Sequence, residues 1–221
     1  MTEVGIPHLL HVFSTFVPAG PEMRTVRMIN ALGQEFRHSI LAIDGRTSAR
    51  EELAPNAPVV MLDSLPRSGT PKTVLALRRL IRETQPDLVL SYNWGAFDSV
   101  IATRSLGLSR RHIHHEDGFN IDEAHEFKGR RIWARRLLLG GVARVVVPSE
   151  VLAGVSREHW RLLANKLQLI PNGIDLDSFS SEPSSSELRN ELGISPDSPV
   201  IGFVGHLRPV KNPGRLLAAC A

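Results

Sequence analysis

The chain has 221 residues, 42% of them hydrophobic, 22% charged and 5% aromatic, the proportions of a globular protein with one sizeable core or one domain plus part of a second. Lysine and arginine exceed aspartate and glutamate by 26 − 23 = +3, no apolar run approaches the ~20 residues of a membrane-spanning helix, and the first residues lack the charged-then-apolar pattern of a secretory signal. A single cysteine, Cys220, excludes an internal disulfide and a cysteine-based metal cluster, so the expected location is the reducing cytoplasm.

Residues 9–13 form a short apolar run that reads as a strand, and 14–21 as a loop carrying Gly20. Met23, Val26, Ile29 and Leu32 then recur at helical spacing. Strand, glycine-bearing loop and helix open a Rossmann-like domain, where a glycine lets a phosphate or sugar approach the main chain and the helix N-terminus adds about half a positive charge. Further strands are expected at 38–43, 59–62, 88–91, around 112–114, and at 142–147. An amphipathic helix is expected at 73–83, with Val74, Leu77, Leu80 and Ile81 on one face, and another from Ser149, a plausible N-cap, through Val151, Val155 and Trp160. Leu167, Leu169 and Ile170 supply the last strand of this region. Such alternation predicts an α/β fold, a parallel sheet with helices on both faces, and places ligands at the carboxyl ends of the strands.

That rule selects a few polar residues. Asn93 and Trp94 follow the strand at 88–91; they read either as a turn asparagine above a packed indole or as a hydroxyl partner and an apolar wall for a ligand. His114-His115-Glu116-Asp117-Gly118 is the most chemically loaded segment. It could serve as a metal site, a general base or a hydrogen-bonded loop, although neighbours on an extended chain point to opposite sides and do not converge on one ion unaided. From Lys128 to Arg144 every charged residue is basic, with Arg130, Arg131, Arg135 and Arg136 interleaved with Ile132, Trp133 and Leu137. This is either a solvated basic helix or a face resting on anionic lipid, where each cation contributes ~1 kcal/mol. No interleaved stacking aromatics or recognisable module supports nucleic acid binding.

Ile170-Pro171-Asn172-Gly173-Ile174-Asp175 forces an abrupt turn. A polar run at 180–186 follows, then an apolar strand at 200–204 and the segment Gly202-Phe203-Val204-Gly205-His206-Leu207-Arg208-Pro209-Val210-Lys211-Asn212. This sequence of motifs, with Val145-Val146-Val147-Pro148-Ser149 before it, resembles the inter-domain crossing of family-4 glycosyltransferases of the GT-B fold. Those enzymes are two Rossmann-like domains facing across a cleft. The resemblance implies an acceptor-side Rossmann-like domain over 1–179, a linker over 180–198, and the first strand and partial helix of a truncated donor-binding domain over 199–221. It implies retaining hexosyl transfer from a nucleotide diphosphate sugar to a glycan or lipid-linked acceptor in polysaccharide or cell-envelope biosynthesis, with no metal or other cofactor.

By the same resemblance His115, Glu116 and Asp117 form the catalytic loop, and either His114 or His115 faces the cleft. Gly20, Asn93, Trp94 and His114 bind substrate, while Lys211, His206 and Arg208 hold the donor diphosphate. Two departures stand out: Ala19-Gly20-Pro21 keeps one of the family's two loop glycines, and His206 replaces an arginine, giving up the two-pronged guanidinium. The chain is expected to be incomplete and inactive alone, at the inner membrane face if the basic run meets lipid. The rival expectation is a non-catalytic glycan-binding half-protein, or a subunit needing a separate donor-binding domain.

Overall fold

The computed structural model describes residues 5–65, 69–118, 128–174, 176–177, 185–205, 207 and 209–220. Seven strands, β1 (His8–Phe13), β2 (Arg37–Ala42), β3 (Val59–Leu62), β4 (Leu88–Tyr92), β5 (His112–His115), β6 (Arg144–Val147) and β7 (Leu167–Leu169), form one sheet in the order β3-β2-β1-β4-β5-β6-β7. All six pairings are parallel. Between them run the helices α1 (Gly20–Leu32), α2 (Thr70–Thr84), α3 (Asp98–Ser105), α4 (Gly129–Leu138) and α5 (Glu150–Glu158). The direction of strand addition reverses between β1 and β4, so the loops that follow those two strands open a crevice at the carboxyl edge.

Strand alternation divides the core. Leu10 and Val12 of β1 join Leu77 and Ile81 of α2 and Ala102 of α3 on one side, whereas Phe13 joins Val26 and Ile29 of α1 on the other. A third cluster, around Leu139, Val145, Leu152 and Trp160, covers the β6 side. Each fully buried Leu, Ile or Val contributes about 1.5–3 kcal/mol relative to exposure, which makes these faces the main fixatives of the sheet. Pro21 and Pro71 stand in the opening turns of α1 and α2, where the missing N–H has no helical partner to lose. Gln85 closes α2 in a left-handed conformation, just before Pro86.

The chain divides into two compact units, Met1–Asn172 and Gly173–Ala221. In the second, α6 (Ser185–Glu191) lies within the expected linker and α7 (Pro213–Cys220) fulfils the expected terminal helix. The strand expected at 200–204 is not formed. Those residues make no ladder, and Val200, Ile201 and Val204 are exposed. A strand needs a neighbour for its backbone groups, and among the described residues this unit offers none. A correction of the opposite kind is α3, which the apolar spacing did not announce.

Candidate functional site

The loops after β1, β4 and β5 meet at the crevice. Gly95, after β4, approaches the β1 loop so closely that an added Cβ would lie 2.5 Å from Ser14 Cβ. Asn93 adopts a positive φ of 58°, uncommon outside glycine. Its N–H donates to the His115 carbonyl at 2.7 Å, and its Oδ1 accepts from the Asp117 N–H at 2.8 Å. Asn93 is therefore a turn residue whose side chain stitches the β4 loop to the β5 loop.

Asp117 receives two bonds from Arg24 of α1, Nη1 at 2.5 Å and Nη2 at 3.1 Å, and Arg24 Nη1 also donates to Asn172 Oδ1 at 2.6 Å. This charge-assisted pair is partly exposed, with the Arg24 side chain at 23%. Beside it, Glu22 in the first turn of α1 is buried. Its carboxyl is raised chiefly by burial and further by Asp117, and its Oε2 has no hydrogen-bond partner among the described residues. The exposed Gly20 leaves the start of α1 open.

The two histidines at the end of β5 part company, as strand alternation requires. His115 stacks on Tyr92, ring centroids 4.8 Å apart, and Tyr92 stacks on Phe13 at 4.0 Å. The His115 Nε2 is buried with no hydrogen-bond partner among the described residues, and burial, followed by Arg24 and His114, lowers its pKa to about 3, so the imidazole is neutral. On the far side of Tyr92, its hydroxyl meets His11 Nδ1 at 3.0 Å, and His11 Nε2 meets His38 Nδ1 at 3.0 Å. His114, by contrast, has no exposed surface, and neither has Glu116.

Glu116 is gripped from below by Arg135 of α4, Nε to Oε2 and Nη2 to Oε1, both at 3.0 Å. Burial alone would raise this carboxyl; His114 and Arg135 together hold it below the ordinary range. The Arg135 guanidinium also lies 5.0 Å from the Trp94 ring centre and 4.9 Å from that of Trp160. His114 and Glu116 thus sit beneath the surface and present no atom to a ligand there, which leaves Asp117 as the polar side chain of the loop that can; His115 is partly exposed, but its Nε2 is buried. Trp94 is stacked on Phe97 at 4.6 Å and covered by Arg131 and Arg135, so its faces are engaged by protein. Its remaining surface lines a cavity of about 390 Å³ with Thr70, Asp98, Ile101 and Arg130. Burial raises the Asp98 carboxyl despite its hydrogen bond with Thr70.

The basic run proves mixed. Arg135 is buried, and Arg136 Nε donates to the His159 carbonyl at 2.5 Å with its guanidinium over Trp133. Lys128, Arg130, Trp133 and Leu137 are exposed. No described helix is long and apolar enough to cross a membrane, and among the described residues no three His, Cys, Asp or Glu side chains gather as a metal site would need. Lys211 is exposed in the second unit, while His206 and Arg208 lie outside the described residues. Sequence reasoning missed Glu22, Arg24 and Arg135. Arg24 and Arg135 find their partners 93 and 19 positions away, and no local pattern encodes such pairings.

Comparison with known proteins accords with this architecture. The D-inositol 3-phosphate glycosyltransferase of Frankia alni is 23% identical over 221 aligned residues, covering 88% of this chain and 52% of its own. That of Segniliparus rotundus is 36% identical over 78 residues, 35% of this chain and 17% of its own. The chain spans about half the length, or less, of these curated relatives. Among solved structures, HepE of Anabaena in complex with UDP superposes with a TM-score of 0.71 at 18% identity, over 96% of this chain and 57% of that one. Sucrose-phosphate synthase of Thermosynechococcus elongatus gives 0.67 at 17%, over 96% and 59%. These two likenesses establish the fold, a Rossmann-like α/β sheet of the GT-B type. The sequence pattern of Glycosyltransferase Family 4 matches residues 18–178, close to three quarters of the chain, with the loops after β4 and β5, and the chain belongs to that family.

Proposed function

We propose that these residues form the acceptor-side half of a retaining glycosyltransferase, which moves a hexosyl group from a nucleotide diphosphate sugar to a glycan or lipid-linked acceptor in polysaccharide or cell-envelope assembly. The observation that carries the reading is the crevice itself. The Arg24–Asp117 pair, partly exposed, stands beside a neutral His115 at the carboxyl ends of strands in a family-4 sheet. HepE was solved with UDP and with UDP-glucose, which supports a nucleotide sugar as donor here.

Retaining transfer asks for an acceptor hydroxyl on the face from which the diphosphate departs, with stabilisation of the charge on that leaving group. Asp117, held by Arg24, can accept from a sugar hydroxyl, and the partly exposed His115 ring lies beside it as a wall. The cavity of Thr70, Trp94, Asp98 and Arg130 suits the body of a hydroxyl-rich acceptor, Asp98 accepting and Arg130 donating. The open N-terminus of α1 at Gly20 suits an anionic group. Lys211, with His206 and Arg208, is assigned to the donor diphosphate. No metal ion or cofactor is required by this scheme. Lys128, Arg130, Trp133 and Leu137 are assigned to anionic lipid at the cytoplasmic face of a membrane.

Because the chain spans about half the length of its relatives, transfer is proposed for the polypeptide in which it is joined to a donor-binding half, and not for the 221 residues alone. Both forms are incubated with UDP- and GDP-sugars and membrane-lipid or oligosaccharide acceptors, following nucleotide release and the anomer formed. An α-linked product from an α-linked donor, made only by the joined form, is expected. A β-linked product overturns the retaining assignment. Glycan binding without nucleotide release from any donor overturns the enzyme and leaves a glycan-binding half-protein.

A further inference from the structure

Six buried polar side chains form one unbroken hydrogen-bonded run beneath the crevice. Thr103 Oγ1 of α3 lies 2.7 Å from His112 Nδ1, and His112 Nε2 lies 2.7 Å from Ser91 Oγ of β4. Ser91 Oγ lies 2.8 Å from His114 Nδ1, and His114 Nε2 lies 3.4 Å from Glu116 Oε2, the carboxylate held by Arg135. None of the six is more than 1% exposed. Burial of an ion pair is a poor source of net stability, since desolvation offsets the attraction. What such a run supplies is a defined geometry.

Its protons can be placed in sequence. An ionised carboxylate only accepts, so His114 must face Glu116 with Nε2–H, and in the neutral ring that leaves Nδ1 as an acceptor. Ser91 then gives its one proton to His114 Nδ1 and accepts from His112 Nε2–H. His112, kept neutral by burial, is left with Nδ1 as acceptor for the Thr103 hydroxyl, which thereby turns from the Ser99 and Val100 carbonyls at 3.0 and 3.2 Å. Every donor points towards Glu116. The opposite direction would set a bare His114 nitrogen against the carboxylate.

We infer that Arg135 and Glu116 act as a positioning pair: their charge orders this run in one direction and so holds the carboxyl ends of β4 and β5, with Asn93, His115 and Asp117, in the geometry used for transfer. The link to those residues is covalent and direct, because Glu116 lies between His115 and Asp117, whose backbone groups are both bonded to Asn93. The positioning role rests on the transferase reading. The direction of the run does not.

Two measurements separate these parts. In the 221-residue chain labelled with ¹⁵N-histidine, long-range ¹H–¹⁵N spectra at pH 7.5 should show His112 and His114 both as Nε2–H tautomers. Ser91→Ala, a small change that removes only the middle hydroxyl, should alter the tautomer of at least one ring in a chain that stays folded by circular dichroism. An Nδ1–H tautomer at either ring in the parent, or unchanged tautomers in the variant, overturns the ordered run. In the transfer-competent polypeptide, Arg135→Lys keeps the charge but loses the two-pronged bond, and kcat per folded molecule should fall about 10- to 100-fold with the donor KM within about twofold. If that variant does not fold, Ser91→Ala is assayed in its place, with about a tenfold fall in kcat expected. An unchanged kcat overturns the positioning role, whereas failure to find any donor overturns the transferase reading and leaves the tautomer result standing.

Discussion

Gly95 shows how a single residue sets the width of the crevice. Its missing side chain lets the β4 loop touch the β1 loop, and an alanine there would place its Cβ 2.5 Å from Ser14 Cβ, an atom fixed to the main chain that cannot rotate aside. Gly95→Ala should therefore lower stability by about 1–3 kcal/mol, read as a fall in the urea midpoint at constant slope; an unchanged midpoint would show that the loops separate freely. The buried Glu116–Arg135 pair supports a second expectation. Arg135→Met leaves a carboxylate with no exposed surface facing a thioether, and removal of one buried partner costs about 3–5 kcal/mol. Adding Glu116→Gln removes the stranded charge while keeping an acceptor for His114, so the double variant should be more stable than Arg135→Met alone. Urea denaturation of the two variants side by side decides this, and a double variant that is weaker still would mean the pair's charge is not the dominant cost.

Among the elements, α5 and α7 are each capped by a side chain that bonds the first turn: Ser149 Oγ accepts from the Leu152 N–H at 3.3 Å, and Asn212 Oδ1 from the Arg215 N–H at 3.2 Å. Ser149→Ala should cost about 1 kcal/mol, and because Leu152 and Ala153 seat this helix against Trp160 and the β6 cluster, the loss should appear in the global unfolding transition. Legibility also varied element by element. The helices α1, α2 and α5 show apolar spacing on one face, and β1, β2, β4 and β6 are short apolar runs, so their sequences nearly suffice. α3 escapes because it is buried through polar and small side chains, Ser99, Ala102 and Thr103; the Ser99 hydroxyl bonds back to the Ala96 carbonyl, and the Thr103 hydroxyl meets His112 across the core. The run at 200–204 misleads in the other direction, since apolar β-formers make a strand only beside another strand. The candidate site divides likewise. The His115–Asp117 segment is visible as chemistry, but alternation along β5 and the distant arginines decide which of its side chains meets the surface, and only the folded sheet supplies those.

At the scale of the whole molecule, the sheet carries an unusual load of buried imidazoles. His11 is lowered to about 3 by burial and then by the neighbouring His38, His115 is lowered to about 3, and His112 is lowered well below its ordinary value, burial leading in each case. The folded state therefore refuses protons that the unfolded chain accepts near pH 6.5. Stability is fully present above that pH and is lost as pH falls through the window from about 6.5 towards 3, by up to about 1.4 kcal/mol per pH unit for each such histidine. Asp44 adds to the same slope at lower pH, since its bonds with Arg46 hold the carboxyl below its usual value against the effect of burial. Glu22 and Asp98, raised by burial, work the other way, because the folded state binds their protons first. With His8 and His38 also lowered, burial leading in both, five histidines stand against two carboxyls whose opposing slope is confined to the lower part of the range, which should leave a net loss of at least about 2 kcal/mol between pH 7.5 and 5. The urea midpoint measured across that range should fall steadily with acid, most steeply below pH 6.5. A midpoint that stays level or rises would mean that one or more of these imidazoles opens to solvent without unfolding, and His115, at the mouth of the crevice, is the one from which such opening would start.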